Sequence, residues 1–353
     1  MSIYYVNLIL IFLFLTLSRV FKQKNIYIGY KVFLVYAFII NLMNSGFRYG
    51  VGTDFFSYLN HYNYAEYIKI YNNEPIYILS VRLLKTIFGD YSQIFFIISS
   101  FIILYFIYKI SIERVKYYEL SVFLFITLYF YYSSLNLIRQ WIAVSIILYA
   151  YKYIFQKNLK KYLILATVAI LIHNTAIIAI PLYFLINLDI RKLKSKIVLT
   201  SIVLVSIFSE YILDLIFYFL SKFDIGDYYK YEFSKQLNQG AGSAYFIISL
   251  IVIIIYFLIN KKYIYNKSNN KYEFNLLVMI TIFSFLGSKS MIFGRIQMYI
   301  TPYIVFIVPQ MILKLNKKNK IIFYYLVIFF GILYMSRSLM INGGQVVPYN
   351  SVF

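Results

Sequence analysis

The chain has 353 residues, is 62% hydrophobic and carries a formal net charge of +21. Soluble domains are about 45–50% apolar; here apolar stretches of roughly 18 residues or more recur from end to end, which excludes a soluble protein and indicates a polytopic membrane protein. There is no cysteine and there are only two histidines, His61 and His173, so the sequence offers no disulfide framework, no thiolate metal site and little for a zinc centre.

In chain order, the apolar runs predict spans at 3–18, 30–46, 92–108, 119–134, 138–155, 197–220, 243–260, 274–293, 296–313 and 321–340. The first run has no small-residue cleavage site after it and reads as a retained helix, not a removed signal peptide. Two further stretches, 76–88 and 162–187, are ambiguous. Basic clusters fall at Arg19–Lys31, Lys109–Lys116, Lys157–Lys161, Arg191–Lys196, Lys261–Lys271 and Lys314–Lys320. The positive-inside rule makes all six cytoplasmic, beside anionic lipid, so the charge does not point to nucleic acid. That demand puts both ends of 76–88 outside, as an interfacial or re-entrant helix, and both ends of 162–187 inside, as a re-entrant hairpin turning near His173–Asn174. Non-helical backbone at that depth is tolerated when it is buried in protein or lines a wet cavity. The competing solution makes both stretches single spans, twelve in all, and places two basic clusters outside. Either way the fold class is an all-α polytopic membrane protein of about 10–12 transmembrane helices. It forms a single integral membrane domain over 1–353, with 47–75, 221–242 and both termini on the outer face.

Of the eight arginines, only Arg19, Arg114 and Arg191 lie in those cytoplasmic clusters. Arg48, Arg82, Arg139, Arg295 and Arg337 sit at outer helix ends or inside apolar sequence. A charge in the bilayer is costly and usually faces a bundle interior in a functional role. Arginine's planar fork also suits phosphate and carboxylate. Arg82 and Arg337 also fit a snorkelling role toward headgroups. Arg48, Arg139 and Arg295 stand beside polar or glycine residues.

The groups that could meet them lie in short polar stretches. In "FRYGVGTDFFSY" Asp54 follows Gly50 and Gly52, which allow backbone shapes closed to other residues. "NLIRQWIAVS" carries Arg139 and Gln140, and "LIHNTAIIAIP" carries His173 and Asn174. "FGRIQMY" places Arg295 one turn before Tyr299 on one helix face, and "SEYILD" places Glu210 and Asp214 on another. Together these make an outward-facing cavity of cations, a few acids and aromatic platforms.

These segments, "FRYGVGTDFFSY", "LIRQWIAVSIILYAYKYI" with its following lysine loop, "LIHNTAIIAIPLYFL" and "GRIQMYITPY", resemble in order the EpsG/Wzy-type polysaccharide polymerases, over residues 44 to about 305. The resemblance implies a bundle similar to the GT-C-type glycosyltransferases in the bacterial cytoplasmic membrane. It implies an enzyme acting on the outer face, joining oligosaccharide repeat units carried on undecaprenyl pyrophosphate as donor and acceptor for O-antigen, capsule or exopolysaccharide. A chain-length regulator protein is an expected partner; no nucleotide sugar, metal or other cofactor is expected. By this chemistry Arg48, Arg139 and Arg295, with Gln140, Tyr299 and Asn174, bind pyrophosphate and sugar. Asp54, His173 or Glu210 serves as the base that takes the acceptor proton. The alternative for Asp54 is a structural partner of Arg48, and for His173 a hydrogen-bonded turn residue. Rival functions are a lipid-linked oligosaccharide flippase, for which no internal repeat is visible, and an O-antigen ligase.

Overall fold

A computed structural model describes residues 1–67, 74–189, 243–260 and 268–352, with scattered positions between 197 and 211. The helices in chain order are α1 (Ser2–Gln23), α2 (Tyr27–Gly46), α3 (Phe55–Asn63), α4 (Pro75–Phe88), α5 (Gln93–Arg114), α6 (Tyr118–Thr127), α7 (Phe130–Asn136), α8 (Ile138–Phe155), α9 (Leu159–Ile172), α10 (Ala179–Asn187), α11 (Ala244–Asn260), α12 (Ser268–Lys289), α13 (Met291–Gln297), α14 (Ile304–Ile312) and α15 (Lys317–Ile341). No strand occurs among the described residues, and the chain is an all-α polytopic membrane protein. It divides into two compact units, one formed by Met1–Ala150, Ile164–Ile177 and Val305–Phe353, the other by Tyr151–Leu163 and Ile178–Ile304. The predicted span 197–220 and the loop 221–242 lie almost wholly outside the described residues.

In the first unit α1, α2, α5 and α15 are long and apolar enough to cross a membrane. At 1.5 Å per residue they reach about 30 Å or more, the thickness of the hydrocarbon core. α1 packs on α2 and α6, α2 on α5, and α6 on α15. The α6–α15 crossing is close because Gly331 has no side chain: a Cβ there would lie 2.8 Å from the Phe123 ring and 2.9 Å from Thr127 Oγ1. In the second unit α12 packs against α10, α11 and α13.

Three segments differ from simple spans. The expected span 119–134 is two short helices, α6 and α7, broken where Tyr129 takes φ +71°, a left-handed shape that stops the helical ladder. The expected span 296–313 is α13, a 3₁₀ turn at Thr301–Tyr303 with Pro302 inside it, and α14. The stretch 162–187 breaks between α9 and α10 at a 3₁₀ turn, Asn174–Ile178. There the chain folds back: Tyr162 Oη, near the start of α9, donates to Ala179 O at 2.7 Å, and its ring lies 5.1 Å from that of Tyr183. α9 is only about 21 Å long by its 14 residues, and the break falls at the expected turn near His173–Asn174. α4, also 14 residues, buries Tyr77, Ile78 and Val81 and exposes Leu79, Leu83 and Ile87 in one row, the pattern of an interfacial helix.

The two ends of the first unit differ chemically. At one, Arg19 Nε meets Glu119 Oε1 at 2.8 Å, Tyr324 Oη donates to the same carboxylate oxygen at 3.3 Å, and Lys320 lies over Tyr117. At the other, the tail after α15 runs across residues 47–53. Tyr49 N–H donates to Asn350 O and Gly52 N–H to Gln345 O, both at 3.0 Å, and Val352 N–H returns to Phe47 O at 3.0 Å. Tyr4 Oη, at the start of α1, donates to Val346 O. Lysine-rich helix ends therefore share one end of the unit, and the N-terminus, the 47–53 loop and the C-terminal tail share the other.

Candidate active site

Arg48 is 1% exposed. Its guanidinium donates to three carbonyls: Nη1 to Ser45 O at 2.5 Å, Nε to Val51 O at 3.3 Å and Nη2 to Leu135 O at 2.7 Å. The cation also lies 5.0 Å from the centre of the Phe96 ring. Burial pulls its pKa down to about 10, so it stays charged at neutral pH. This arginine fastens the 45–51 turn to the end of α7. Three of its five N–H donors thus hold backbone, which gives this expected pyrophosphate ligand a structural task in the turn.

Asp54 is half-exposed at the entrance of α3 and accepts from Thr53 Oγ1 at 3.2 Å. No ion pair joins it to Arg48 among the described residues. Gly50 and Gly52 take φ of +63° and +101°, the left-handed backbone that favours glycine. At Gly52 space also requires it, since a Cβ would stand 2.3 Å from Asn136 Oδ1.

A different cluster forms around a residue that the sequence reading passed over. Glu74 lies just before α4 and is 7% exposed. Its Oε2 accepts from Arg139 Nη1 at 2.6 Å, and its Oε1 lies 2.6 Å from His173 Nδ1. Arg139 is the second residue of α8, and His173 follows α9 directly at the hairpin turn. Three separate helix ends thus deliver one carboxylate, one guanidinium and one imidazole to the same point. Arg139 is about a third exposed (34%), its buried Nε has no hydrogen-bond partner, and its guanidinium centre lies 5.0 Å from the Tyr77 ring. Tyr58 Oη accepts from the Arg139 backbone N–H at 3.5 Å. Tyr77 Oη lies 3.1 Å from His61 Nδ1, and the Tyr58 ring stacks on Phe95.

Burial works to raise the Glu74 carboxyl, but the His173 hydrogen bond and the Arg139 charge outweigh it and hold it below the usual glutamate range. Burial, then the Arg139 charge, pushes His61 below its ordinary value, so this ring is neutral at pH 7. The carboxylate on Nδ1 fixes the orientation of the His173 ring. The arrangement can orient a base and present a part-exposed guanidinium to an anion.

The remaining predicted residues lie on other elements. Gln140 is buried in α8, and Asn174 is exposed beside His173 in the 3₁₀ turn. Arg295 is exposed near the end of α13 in the second unit, and Tyr299 is fully buried with its carbonyl accepting from Tyr151 Oη at 2.8 Å. The two do not share a helix face as expected, because α13 stops at Gln297. Glu210 and Asp214 lie outside the described residues. Arg82, read as a headgroup contact, donates from Nε to Ala65 O at 3.1 Å and from Nη2 to Glu66 O at 3.2 Å. Glu74 carried one sequence signal: it precedes Pro75, and proline at the first helical position marks a helix start.

No curated protein and no solved structure matches the chain. Residues 31–351 match the model of the EpsG family, which extends well past the segments quoted above and includes the tail that lies on Arg48. The chain belongs to the EpsG family, a family of polysaccharide polymerase-like membrane proteins.

Proposed function

We propose that this protein is a glycosyltransferase that polymerises oligosaccharide repeat units carried on undecaprenyl pyrophosphate, at the outer face of the bacterial cytoplasmic membrane. The Glu74-centred contact of Arg139 and His173 carries the reading, together with the family. In the proposed step an acceptor sugar hydroxyl attacks the anomeric carbon of the donor chain. The bond from that carbon to the pyrophosphate oxygen breaks, and its electron pair leaves with the diphosphate. His173 Nε2 takes the hydroxyl proton, and Glu74 holds the ring and stabilises the imidazolium that forms. Arg139 offers its guanidinium to the charge gathering on the leaving diphosphate. Tyr58, Tyr77 and His61 give the sugar apolar ring faces beside those charges.

Reconstitution with lipid-linked repeat units tests it. Wild-type protein in proteoliposomes should lengthen the chain on the pyrophosphate lipid. Arg139→Lys should nearly abolish lengthening at normal protein level, because a point charge cannot hold Glu74 and a diphosphate with one fixed fork. Movement of the lipid across the bilayer without new glycosidic bonds would assign a flippase instead. Full activity of Arg139→Lys would reduce Arg139 to a helix anchor.

A further inference from the structure

We infer that the exposed face of α3, with the 3₁₀ turn that follows it, is a binding track for the oligosaccharide chain, beside the site that joins it. The inference rests on the saccharide substrate of the proposed function, not on its base or its leaving group. α3 and the turn Ala65–Tyr67 bury Phe55, Tyr58, Tyr62 and Ala65. On the opposite side Phe56, Asn60 and Asn63 share one face of α3, and Tyr64 and Tyr67 continue it past the helix end. Phe56, Tyr64 and Tyr67 are 54%, 62% and 81% exposed. Tyr49, half-exposed, meets the Phe56 ring edge-on at 6.3 Å and extends the row at its start. From Phe56 to Tyr64 the face runs about 12 Å at 1.5 Å per residue, longer than a single sugar ring.

The chemistry of this face selects a sugar chain over a lipid. The neighbouring α4 has the row that suits a bilayer, Leu79, Leu83 and Ile87. Among the exposed residues from Thr53 to Tyr67 there is no aliphatic side chain. Rings alternate instead with the amides of Asn60 and Asn63, which have no partner among the described residues. In hydrocarbon each amide would carry its desolvation cost uncompensated. No lysine or arginine lies between Arg48 and Lys69, so a headgroup phosphate meets no cation on the face either. A sugar ring matches both halves of the pattern. Its C–H faces stack on Phe56, Tyr64 and Tyr67, and its hydroxyls donate to and accept from the two amides. The face is also continuous with the Glu74 cluster. On the other side of the same helix Tyr58 Oη meets the Arg139 backbone N–H at 3.5 Å, and His61 Nδ1 lies 3.1 Å from Tyr77 Oη. A chain held on α3 stays beside Arg139 between one addition and the next.

The chain has no cysteine, so Asn63→Cys places a single thiol on the face. In nanodiscs a membrane-impermeant maleimide should label it readily, and the native repeat-unit oligosaccharide, released from its lipid by mild acid, should slow the labelling about fivefold at saturation. Gln23→Cys, exposed at the end of α1, should label at the same rate with and without the sugar. In proteoliposomes the double variant Tyr64→Ala, Tyr67→Ala should join the first two repeat units within about twofold of the wild-type rate, yet give products about threefold shorter, because the chain is no longer kept near the site. Both tyrosines are exposed, so the variant folds. Slow labelling of Asn63→Cys without sugar would place the face in the membrane and overturn the inference. Labelling undiminished by the sugar, or products of normal length from the double variant, would overturn it as well. Protection of Asn63→Cys in a protein that lengthens nothing would uphold the track and remove the polymerase reading.

Discussion

Glu74→Gln is the substitution that separates chemistry from scaffold, because glutamine keeps the size of the side chain and removes its charge. Two contacts of 2.6 Å are affected, one to Arg139 and one to His173. A hydrogen bond to a charged group contributes about 1.5–3 kcal/mol. The Arg139 side chain is 34% exposed, so water recovers part of what it loses and the stability change stays near the low end, about 1–2 kcal/mol. The chemical step suffers more directly. The imidazolium that forms on His173 loses its carboxylate, and about 1.5–3 kcal/mol converts to roughly 10- to 150-fold in kcat. Should the amide turn its NH₂ group toward Nδ1, the ring adopts the wrong tautomer and the loss approaches about 10⁴-fold, as in amidated catalytic triads. Glu74→Asp keeps the charge one methylene further back and should recover part of the rate.

The assay is chain lengthening on lipid-linked repeat units in proteoliposomes, with initial rates at several substrate levels. KM should change little in Glu74→Gln, since the carboxylate touches no substrate in the proposed step. A rate within twofold of wild type, in protein that elutes as a single folded species, would refute a role for Glu74 in holding the base.

The pH dependence of stability follows from the same residue. The native Glu74 carboxyl is depressed below its ordinary value of 4.5, so its contribution is complete above that pH and is lost as pH falls through the native value; a thermal melt of the wild type should drop more steeply below pH 4.5 than that of Glu74→Gln. Gly52→Ala should cost more than about 2 kcal/mol, from φ +101° and a Cβ 2.3 Å from Asn136 Oδ1. Gly50→Ala should cost about half as much, because only the Phe56 ring stands near, at 3.6 Å; equal melting temperatures for the two variants would refute the steric argument. Truncation after Asn342 removes the backbone hydrogen bonds from the tail to residues 47–53, each contributing about 0.5–1.5 kcal/mol. Limited proteolysis should then cut between Phe47 and Tyr67 in the truncated protein and spare the full chain.

The long spans were readable because an apolar run of twenty residues has one physical solution in a bilayer. The break at His173 was readable for a related reason: 162–187 is too long for one span and too short for two, and its only polar pair sits in the middle. The break at Tyr129 was not. No glycine or proline marks it, and a tyrosine at positive φ is a tertiary imposition on an ordinary apolar sequence. Glu74 was missed because its partners lie 65 and 99 residues away, and a lone acid before a proline looks like any helix start. The tail on residues 47–53 was missed because it binds through backbone carbonyls, which carry no residue code.

The same limit explains why two arginines that look alike in sequence have opposite fates. Arg48 and Arg139 each stand at a helix end beside polar residues, and each would carry a permanent charge into a desolvated place. What divides them is the acceptor each one meets. Neutral carbonyls take three of the five Arg48 N–H donors, and the charge is buried at 1% exposure. Removing it would strand the carbonyls of Ser45, Val51 and Leu135, at about 1–3 kcal/mol each, so its loss appears as unfolding. Arg139 meets a carboxylate with one nitrogen, stays about a third exposed and has a buried Nε without a partner, beside a histidine held on the same carboxylate through Nδ1. A guanidinium buried on backbone carbonyls is scaffold, whereas one held by a single shared acid is positioned and still reactive toward an anion. Among the described contacts of the first unit, Arg139 is the misplaced arginine that stands beside both an acid and a base, and that is why the proposed chemistry is placed there.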